Sequence, residues 1–452
     1  MNTAAGKTFR YRGFMLDSVR HFLPAEDVRK LIRAAALCGI NRMHWHLTDD
    51  QGWRIEILRY PQLTETGARR GESFFGGVNT LENNSGYYTQ DEIRKTVRFA
   101  KEYGIEIIPE IELPGHASAL LAACPEYGCR RETGENEGNS PETAPWSYRV
   151  EVSGGIFPNL ICAGKESTIR FIEDVLDEVT ALFPYPMVHI GGDEALKLHW
   201  RRCPDCRRRM RKLGLKTEDE LQYDLVLRIG SYLAEKGRQT VVWNDVLNGG
   251  ILPGNFIVQQ WMGGEELTRK FMEQGGQVIC SDIQIYYFDY PYGQSDIRKI
   301  RDYPRIPEWA QGLEEQLLGI ECPLWTERVT NIGRASFLLF PRLAAAGLKG
   351  LDEDRLPWEA FREKMREIRD QIREMGLTCA PEEYWDMPEE KAEADRQADR
   401  DRIRAPEALP FVRKEERLVQ LEKTERSRLE AGIPEDTVLR EGDRILAEIA
   451  EM

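Results

Sequence analysis

The chain has 452 residues, a hydrophobic fraction of 41% and a net charge of −14. That is enough apolar material for a sizeable core. The acidic balance argues against nucleic acid as a partner, because such binding needs a basic face that displaces counterions. No stretch approaches ~20 consecutive apolar residues, so no membrane span or membrane partner is expected.

The opening segment MNTAAGKTFRYRGF has neither an apolar core nor a cleavage pattern, which predicts no secretory leader. Nine cysteines without regular spacing suit a reducing compartment better than a disulfide framework. Together these predict a cytoplasmic protein. The segment RRCPDCRRRMRK is read as a solvated helix face rather than a nucleic-acid patch.

Short apolar runs then alternate with helical periodicity. The runs are RGFMLD (12–17), INRMHWHL (40–47), IEIIPEIE (105–112), MVHIGGD (187–193), TVVWND (240–245), FIVQQW (256–261), QVICSD (277–282) and LLGIECPLW (317–325). After the first, Pro24 opens a helix with Val28, Leu31, Ile32 and Ala35 on one face, and Gly39 ends it. Thr89 and Glu92 form a capping-box pattern before Ile93, Val97 and Ala100, with Gly104 at the end. Residues 165–183 place Ile169, Ile172, Leu176 and Val179 on one stripe, and Thr217 with Glu220 repeats the capping pattern.

Eight strand–helix units predict an α/β fold, a parallel (β/α)8 TIM barrel. A doubly wound sheet would be expected to carry a glycine-rich phosphate loop, and none is present. Long insertions at about 50–88 and 124–163 follow strand ends and are expected as long loops on the C-terminal face of the barrel. The barrel is expected over residues 1–377. Residues 378–452 are heavily charged with sparse apolar positions. They read as a mostly helical C-terminal extension packed on the barrel or on a second copy, so a homo-oligomer is one expected partner.

Each strand delivers a ligand-type residue to one face of this barrel. In chain order these are Asp17 and Arg20, Asp49-Asp50, His116, Asp193-Glu194, Trp243, Trp261, Tyr287 with Asp289, and Trp325 with Glu327. Acids, an arginine and tryptophans on one concave surface suggest a sugar pocket, since indole faces stack on the C–H surface of a pyranose. The adjacent pair Asp193-Glu194 poses a problem. Neighbours on a strand point to opposite faces, whereas most glycosidases set two carboxyls across the scissile bond.

The motifs RGFMLDSVRHFLP, HWHLTDDQGWRIEI, PEIELPGHASA, HIGGDEA and LWTERV, in this order over about residues 10–347, resemble the catalytic barrel of glycoside hydrolase family 20, the β-N-acetylhexosaminidases. The small α/β domain that usually precedes that barrel is not expected here, because the chain reaches strand one almost at once. The resemblance implies an exo-acting, retaining hydrolase. It removes terminal N-acetylhexosamine from an oligosaccharide or glycoconjugate, and the substrate's own 2-acetamido oxygen is the nucleophile.

Carried over residue by residue, the resemblance makes Glu194 the general acid and base. Asp193 is the charged partner of the acetamide N–H and of the oxazolinium cation. Trp243, Trp261 and Trp325 are aromatic walls, and Tyr287 holds the acetamide carbonyl. Arg20 contacts the C3 and C4 hydroxyls, and Asp289 and Glu327 accept from the C4 and C6 hydroxyls. Asp49 and His116 form a relay behind the acid. Glu194 is then expected protonated and Asp193 ionised, their pKa values pushed apart. No cofactor and no catalytic metal are implied.

Two rivals stand beside this reading. His44 and His46 resemble a metal motif of an amidohydrolase barrel, but that chemistry wants further histidines on strands five and six, where TVVWND and FIVQQW have none. A catalytically inactive glycan-binding barrel would be expected to lose the acid or the acetamide holder. His199, Cys203 and Cys206 offer a weak zinc pattern, one CxxC with no second pair.

Overall fold

The computed structural model describes residues 8–77, 79–80, 83–135 and 141–452. The first half of the N-terminal segment read for a leader, and parts of both long insertions, lie outside these. The apolar runs form eight parallel strands: β1 (Tyr11–Asp17), β2 (Arg42–His46), β3 (Glu106–Glu110), β4 (Met187–His189), β5 (Gln239–Trp243), β6 (Phe256–Gln260), β7 (Gln277–Cys280) and β8 (Leu317–Leu324). They close in sequence order, and β1 pairs with both β2 and β8. The protein is a (β/α)8 barrel. No helix among the described residues is long and apolar enough to cross a membrane.

The helix signals act as read, with one difference. Ala25–Leu37 buries Val28, Leu31, Ile32 and Ala35, and Gly39 follows it at φ +77°. The Thr89–Glu92 box is reciprocal. At Glu218–Glu235, Thr217 accepts from the Glu220 N–H, but the Glu220 carboxylate turns outward to the Lys216 N–H. Only half of that box forms.

Inside the barrel the side chains are layered. At the N-terminal end Tyr11, Ile108, Val241, Ile257 and Ile279 pack as an apolar plug. Above it, Glu321 is buried and accepts from the Tyr11 hydroxyl, His44 Nδ1 (2.9 Å) and Gln259 Nε2 (2.6 Å). The next layer centres on Glu110, which is in contact with His44 (3.0 Å), His46 and His189 (2.8 Å). Burial alone would drive the first two imidazoles toward neutrality, but the facing carboxylates hold His44 up at about 10 and His46 at about 9. His44 and His46 are thus bound into an interior ion network, as their expected inward packing requires.

The arginine-rich segment departs from its solvated reading at its first two residues, while Arg208, Arg211 and Lys212 are exposed as read. Arg201 and Arg202 are buried. Arg201 pairs with Glu422 and Glu425, and Arg202 with Glu425 and Asp443. Those acids lie on helices Leu409–Glu430 and Glu435–Ala450. The same helices bury Leu418, Leu421 and Ile449 against Leu196 and Leu198. The charged C-terminal region is therefore docked on the barrel, close to the loop that carries residues 193 and 194. Two buried guanidiniums need carboxylate partners; Glu218 of the neighbouring barrel helix supplies one to Arg201 at 3.4 Å, and the distant helices supply the others.

Candidate active site

Strand β4 ends in IGGDE, and its backbone resolves the problem of the adjacent acids. Gly191 and Gly192 adopt φ +68° and +108°, and Glu194 itself sits at φ +49°. Three left-handed residues in four end the strand's alternation, so Asp193 and Glu194 both reach one cavity. A Cβ at Gly191 would lie 1.7 Å from Glu112 Oε2, so a side chain there would have to displace that carboxylate at a backbone angle that already favours glycine. The turn is pinned by the Trp243 N–H on the Gly191 carbonyl (3.0 Å) and by Gln222 Nε2 on the Gly192 carbonyl (2.6 Å). A non-glycine residue at positive φ costs about 1–3 kcal/mol and gathers where function demands it. His116, also at φ +49°, faces the same cavity.

The cavity holds about 110 Å³ and is lined by Arg20, Asp49, His116, Asp193, Glu194, Trp261, Tyr287, Trp325 and Glu327. Nine of the eleven residues named from the sequence therefore meet in one place. The other two sit behind it. Trp243 is 1% exposed, packs 6.2 Å from Trp325 and 6.4 Å from Trp261, and donates its indole N–H to Glu110 (3.0 Å). It underlies the aromatic wall rather than facing the opening. Asp289 does not line the cavity. Its Oδ1 is buried without a partner, and burial together with Glu327 pushes its carboxyl up to about 7.

His116 joins two pairs of acids. Its Nδ1 is 3.2 Å from Asp49 and 3.2 Å from Asp50, and its Nε2 is 3.7 Å from both Asp193 and Glu194. Burial disfavours its charge, but Asp49 and Asp50 outweigh that and raise it well above an ordinary imidazole. Both catalytic-type carboxylates approach the same ring nitrogen from one side. They do not face each other across the cavity.

Arg20 forms the opposite wall. Asp49 (2.7 Å), Asp17 (3.3 Å) and Gln51 (2.8 Å) fix its guanidinium, which lies 5.0 Å over the Trp325 ring, with Glu327 3.9 Å away. Trp261 stacks at 6.1 Å on Tyr287. Tyr286 is buried in the core and Tyr290 lies 6.4 Å beyond Tyr287, so Tyr287 is the hydroxyl of this trio that lines the cavity.

The two acids are both shifted upward. Burial leads for Glu194, opposed by His116 and reinforced by Asp193 and Asp245, and holds it at about 8. Burial leads again for Asp193, with His116 opposing and Asp245 and Glu110 reinforcing, at about 7. The order matches the expected roles, but the expected wide separation is not found: Asp193 is also destabilised as an anion. Its Oδ1 is buried, and no hydrogen bond from the described residues satisfies it. An N–H donor supplied by a ligand would.

Three acidic residues that matter here, Glu112, Asp245 and Glu415, were not singled out from the sequence, and a fourth, Asp50, was named beside Asp49 without a role. Glu112 is buried near Asp193 with neither oxygen hydrogen-bonded and His46 Nδ1 3.9 Å from Oε1, and burial plus its acidic neighbours push it well up. Asp245 accepts from Trp261 Nε1 (2.8 Å) and from the Glu194 N–H (3.4 Å), fixing one wall and the acid together. Asp50 accepts from the Ser118 N–H (2.9 Å) as well as facing His116. Glu415, on a C-terminal helix, is close enough to raise Glu194. Asp49, Asp50 and His116 are compact enough to hold a cation. Arg20, His46 and Ser118 already engage those carboxylates, so hydrogen bonding accounts for the set.

Comparison with known proteins places this geometry. A profile described as glycosyl hydrolase family 20, catalytic domain, matches residues 9–348. A beta-hexosaminidase of Porphyromonas gingivalis is 37% identical over 349 residues, covering 75% of this chain and 42% of that protein. One from Vibrio furnissii is 35% identical over 361 residues, covering 76% and 57%. The chain thus spans about half the length of these curated relatives. The crystal structure of Flavobacterium johnsoniae chitobiase superposes with a TM-score of 0.68 at 31% identity, covering 82% of this chain and 52% of that one.

Proposed function

Because the chain belongs to glycosyl hydrolase family 20, we propose that it is an exo-acting β-N-acetylhexosaminidase. It would release terminal, non-reducing β-linked N-acetylglucosamine or N-acetylgalactosamine with retention of configuration, using the substrate's acetamide as nucleophile. The observation that carries this reading is the turn at residues 191–194, which brings Asp193 and Glu194 to the same side of one small cup.

Asp193 Oδ1 accepts the acetamide N–H and turns the carbonyl oxygen toward the anomeric carbon. The Tyr287 hydroxyl donates to that oxygen, and Trp261 and Trp325 confine the group in attack geometry. The carbonyl oxygen bonds to the anomeric carbon as the glycosidic bond breaks, and the Glu194 proton goes to the leaving oxygen. The resulting oxazolinium cation lies beside the Asp193 carboxylate. Glu194, now ionised, takes a proton from water as the water adds to the anomeric carbon and regenerates the acetamide. Arg20 and Glu327 hold ring hydroxyls, and Asp49 and His116 position Glu194. A cavity of about 110 Å³ is far below the ~300 Å³ and upward of pockets for larger ligands, which supports one sugar ring and hence exo action.

Nine free cysteines support a reducing, cytoplasmic setting. Residues 378–452 are read as a unit appended to the barrel, supported by the arginine–carboxylate contacts that fasten it. The test is a panel of aryl glycosides and disaccharides. Terminal β-N-acetylhexosaminides should be cleaved to the monosaccharide with retained configuration. Inertness of both the gluco and galacto forms would reject the proposal.

A further inference from the structure

Four of the nine cysteines, far apart in sequence, meet behind the catalytic loop. Cys129, Cys162, Cys203 and Cys206 are all buried, and their sulfurs lie within 4.8 Å of one another. The separations are 3.7 Å for Cys162–Cys203, 3.7 Å for Cys162–Cys206 and 3.9 Å for Cys129–Cys206. A disulfide needs ~2.05 Å, so these are not bonded pairs. A regular tetrahedron with zinc–sulfur bonds of ~2.3 Å sets its sulfurs about 3.8 Å apart, and the observed separations fall on that value. An iron–sulfur core, interposed between its thiolates, would hold them further apart.

The surroundings suit an anionic tetrathiolate. Cys203 is the N-cap of helix Pro204–Leu213 and Cys206 lies in its first turn, where the helix end favours negative charge. The Arg130 backbone N–H is directed at the Cys203 sulfur. The zinc pattern read from the sequence is corrected in its third member. His199 instead stacks on Trp146 at 3.9 Å and is not among the residues whose ligand atoms cluster here. Cys129 and Cys162, supplied by two other segments, complete the set.

We propose that Cys129, Cys162, Cys203 and Cys206 bind one zinc ion as a closed, structural tetrathiolate site. Zinc binding displaces the remaining thiol protons to solvent, four sulfurs fill the coordination shell, and no position is left for substrate. The site ties together the three segments that back the active site. Ile161 N–H donates to the Pro114 carbonyl (3.1 Å), two residues before His116, and Trp200 Nε1 donates to the Ile161 carbonyl (2.9 Å), six residues after Glu194. The metal would therefore hold the His116 loop and the Glu194 loop in register.

The test uses the full chain, produced in zinc-replete medium and freed of loose metal. Elemental analysis should find one zinc per chain, and titration with a mercurial should release it as four thiols react. Cys206→Ser and Cys129→Ser should each reduce bound zinc to a small fraction of one. Should those variants fail to fold, the unaltered chain exchanged with cobalt decides the matter: thiolate-to-cobalt charge transfer with intense tetrahedral d–d bands is expected. Substoichiometric zinc without such a spectrum would overturn the proposal. So would a disulfide within this set in the freshly isolated protein, or bound iron with sulfide.

Discussion

The two ends of the barrel interior are built from opposite materials. At the N-terminal end Tyr11, Ile108, Val241, Ile257 and Ile279 form an apolar plug whose one polar side-chain group, the Tyr11 hydroxyl, is satisfied by Glu321. At the other end Asp193, Glu194, Glu112 and Asp289 are carboxyls held above their ordinary range by burial, beside two non-glycine residues at φ +49°. Between them, Glu110 and Glu321 are neutralised by His44 and His46. The lower layer stabilises the fold, and the upper layer uses part of that stability to keep acids poorly solvated and ready to exchange protons. Changes at the two ends should therefore have separable effects.

The largest effect is expected at the upper end. Glu194→Gln should lower turnover of natural disaccharides by ~10²–10⁴-fold, the usual contribution of a general acid. An activated aryl leaving group, which needs little protonation, should lose much less at the glycosylation step. Equal loss on both substrates would count against the acid assignment. At the lower end, Ile257→Ala should cost ~2–5 kcal/mol of stability by opening a cavity, with kcat/KM on the surviving folded protein nearly unchanged. A large fall in kcat/KM without loss of Tm would show that the two layers are not separable.

A smaller effect concerns pH. Glu194 must carry its proton and is pushed up to about 8, so kcat/KM should fall as pH rises through that value. Asp193 must be ionised and is pushed up to about 7, so kcat/KM should fall below it. The two limbs belong to the interacting pair, and Glu194→Gln assayed on an aryl substrate should remove the alkaline one. The linked stability has a definite sign. Between the ordinary carboxyl range, near 4.5, and about 8, the folded state binds more protons at Glu194 than the unfolded state. Stability contributed there is present at low pH and declines as pH rises across that window. Thermal melts of Glu194→Gln against the parent should converge at acidic pH and favour the variant at alkaline pH.

How much of this was legible in the sequence follows from what each feature depends on. The strands and the face that carries the site were readable because apolar runs and the residues after them are local signals. Nine of eleven named residues line the cavity for that reason. Trp243 is the last residue of its strand and packs beneath the wall, a difference in depth of one layer that periodicity does not encode. Glu110 and Glu112 look like ordinary polar positions in IEIIPEIE, and their burial follows only from barrel closure around His44, His46 and His189. Arg201 and Arg202 read as exposed because the acids that bury them, Glu422 and Glu425, lie more than 200 positions away in the chain. Cys129 and Cys162 join the CxxC through the same kind of distant pairing.

The central claim is that the nucleophile belongs to the sugar. It is tested most directly by measuring kcat/KM on aryl β-glucosaminides whose 2-acyl group carries zero, one, two or three fluorines, alongside the 2-hydroxyl analogue. Each fluorine weakens the carbonyl oxygen without enlarging the group greatly. The account predicts a steep, progressive fall along the series and near inertness of the 2-hydroxyl compound. Rates independent of fluorination, or comparable turnover of the plain β-glucoside, would contradict it.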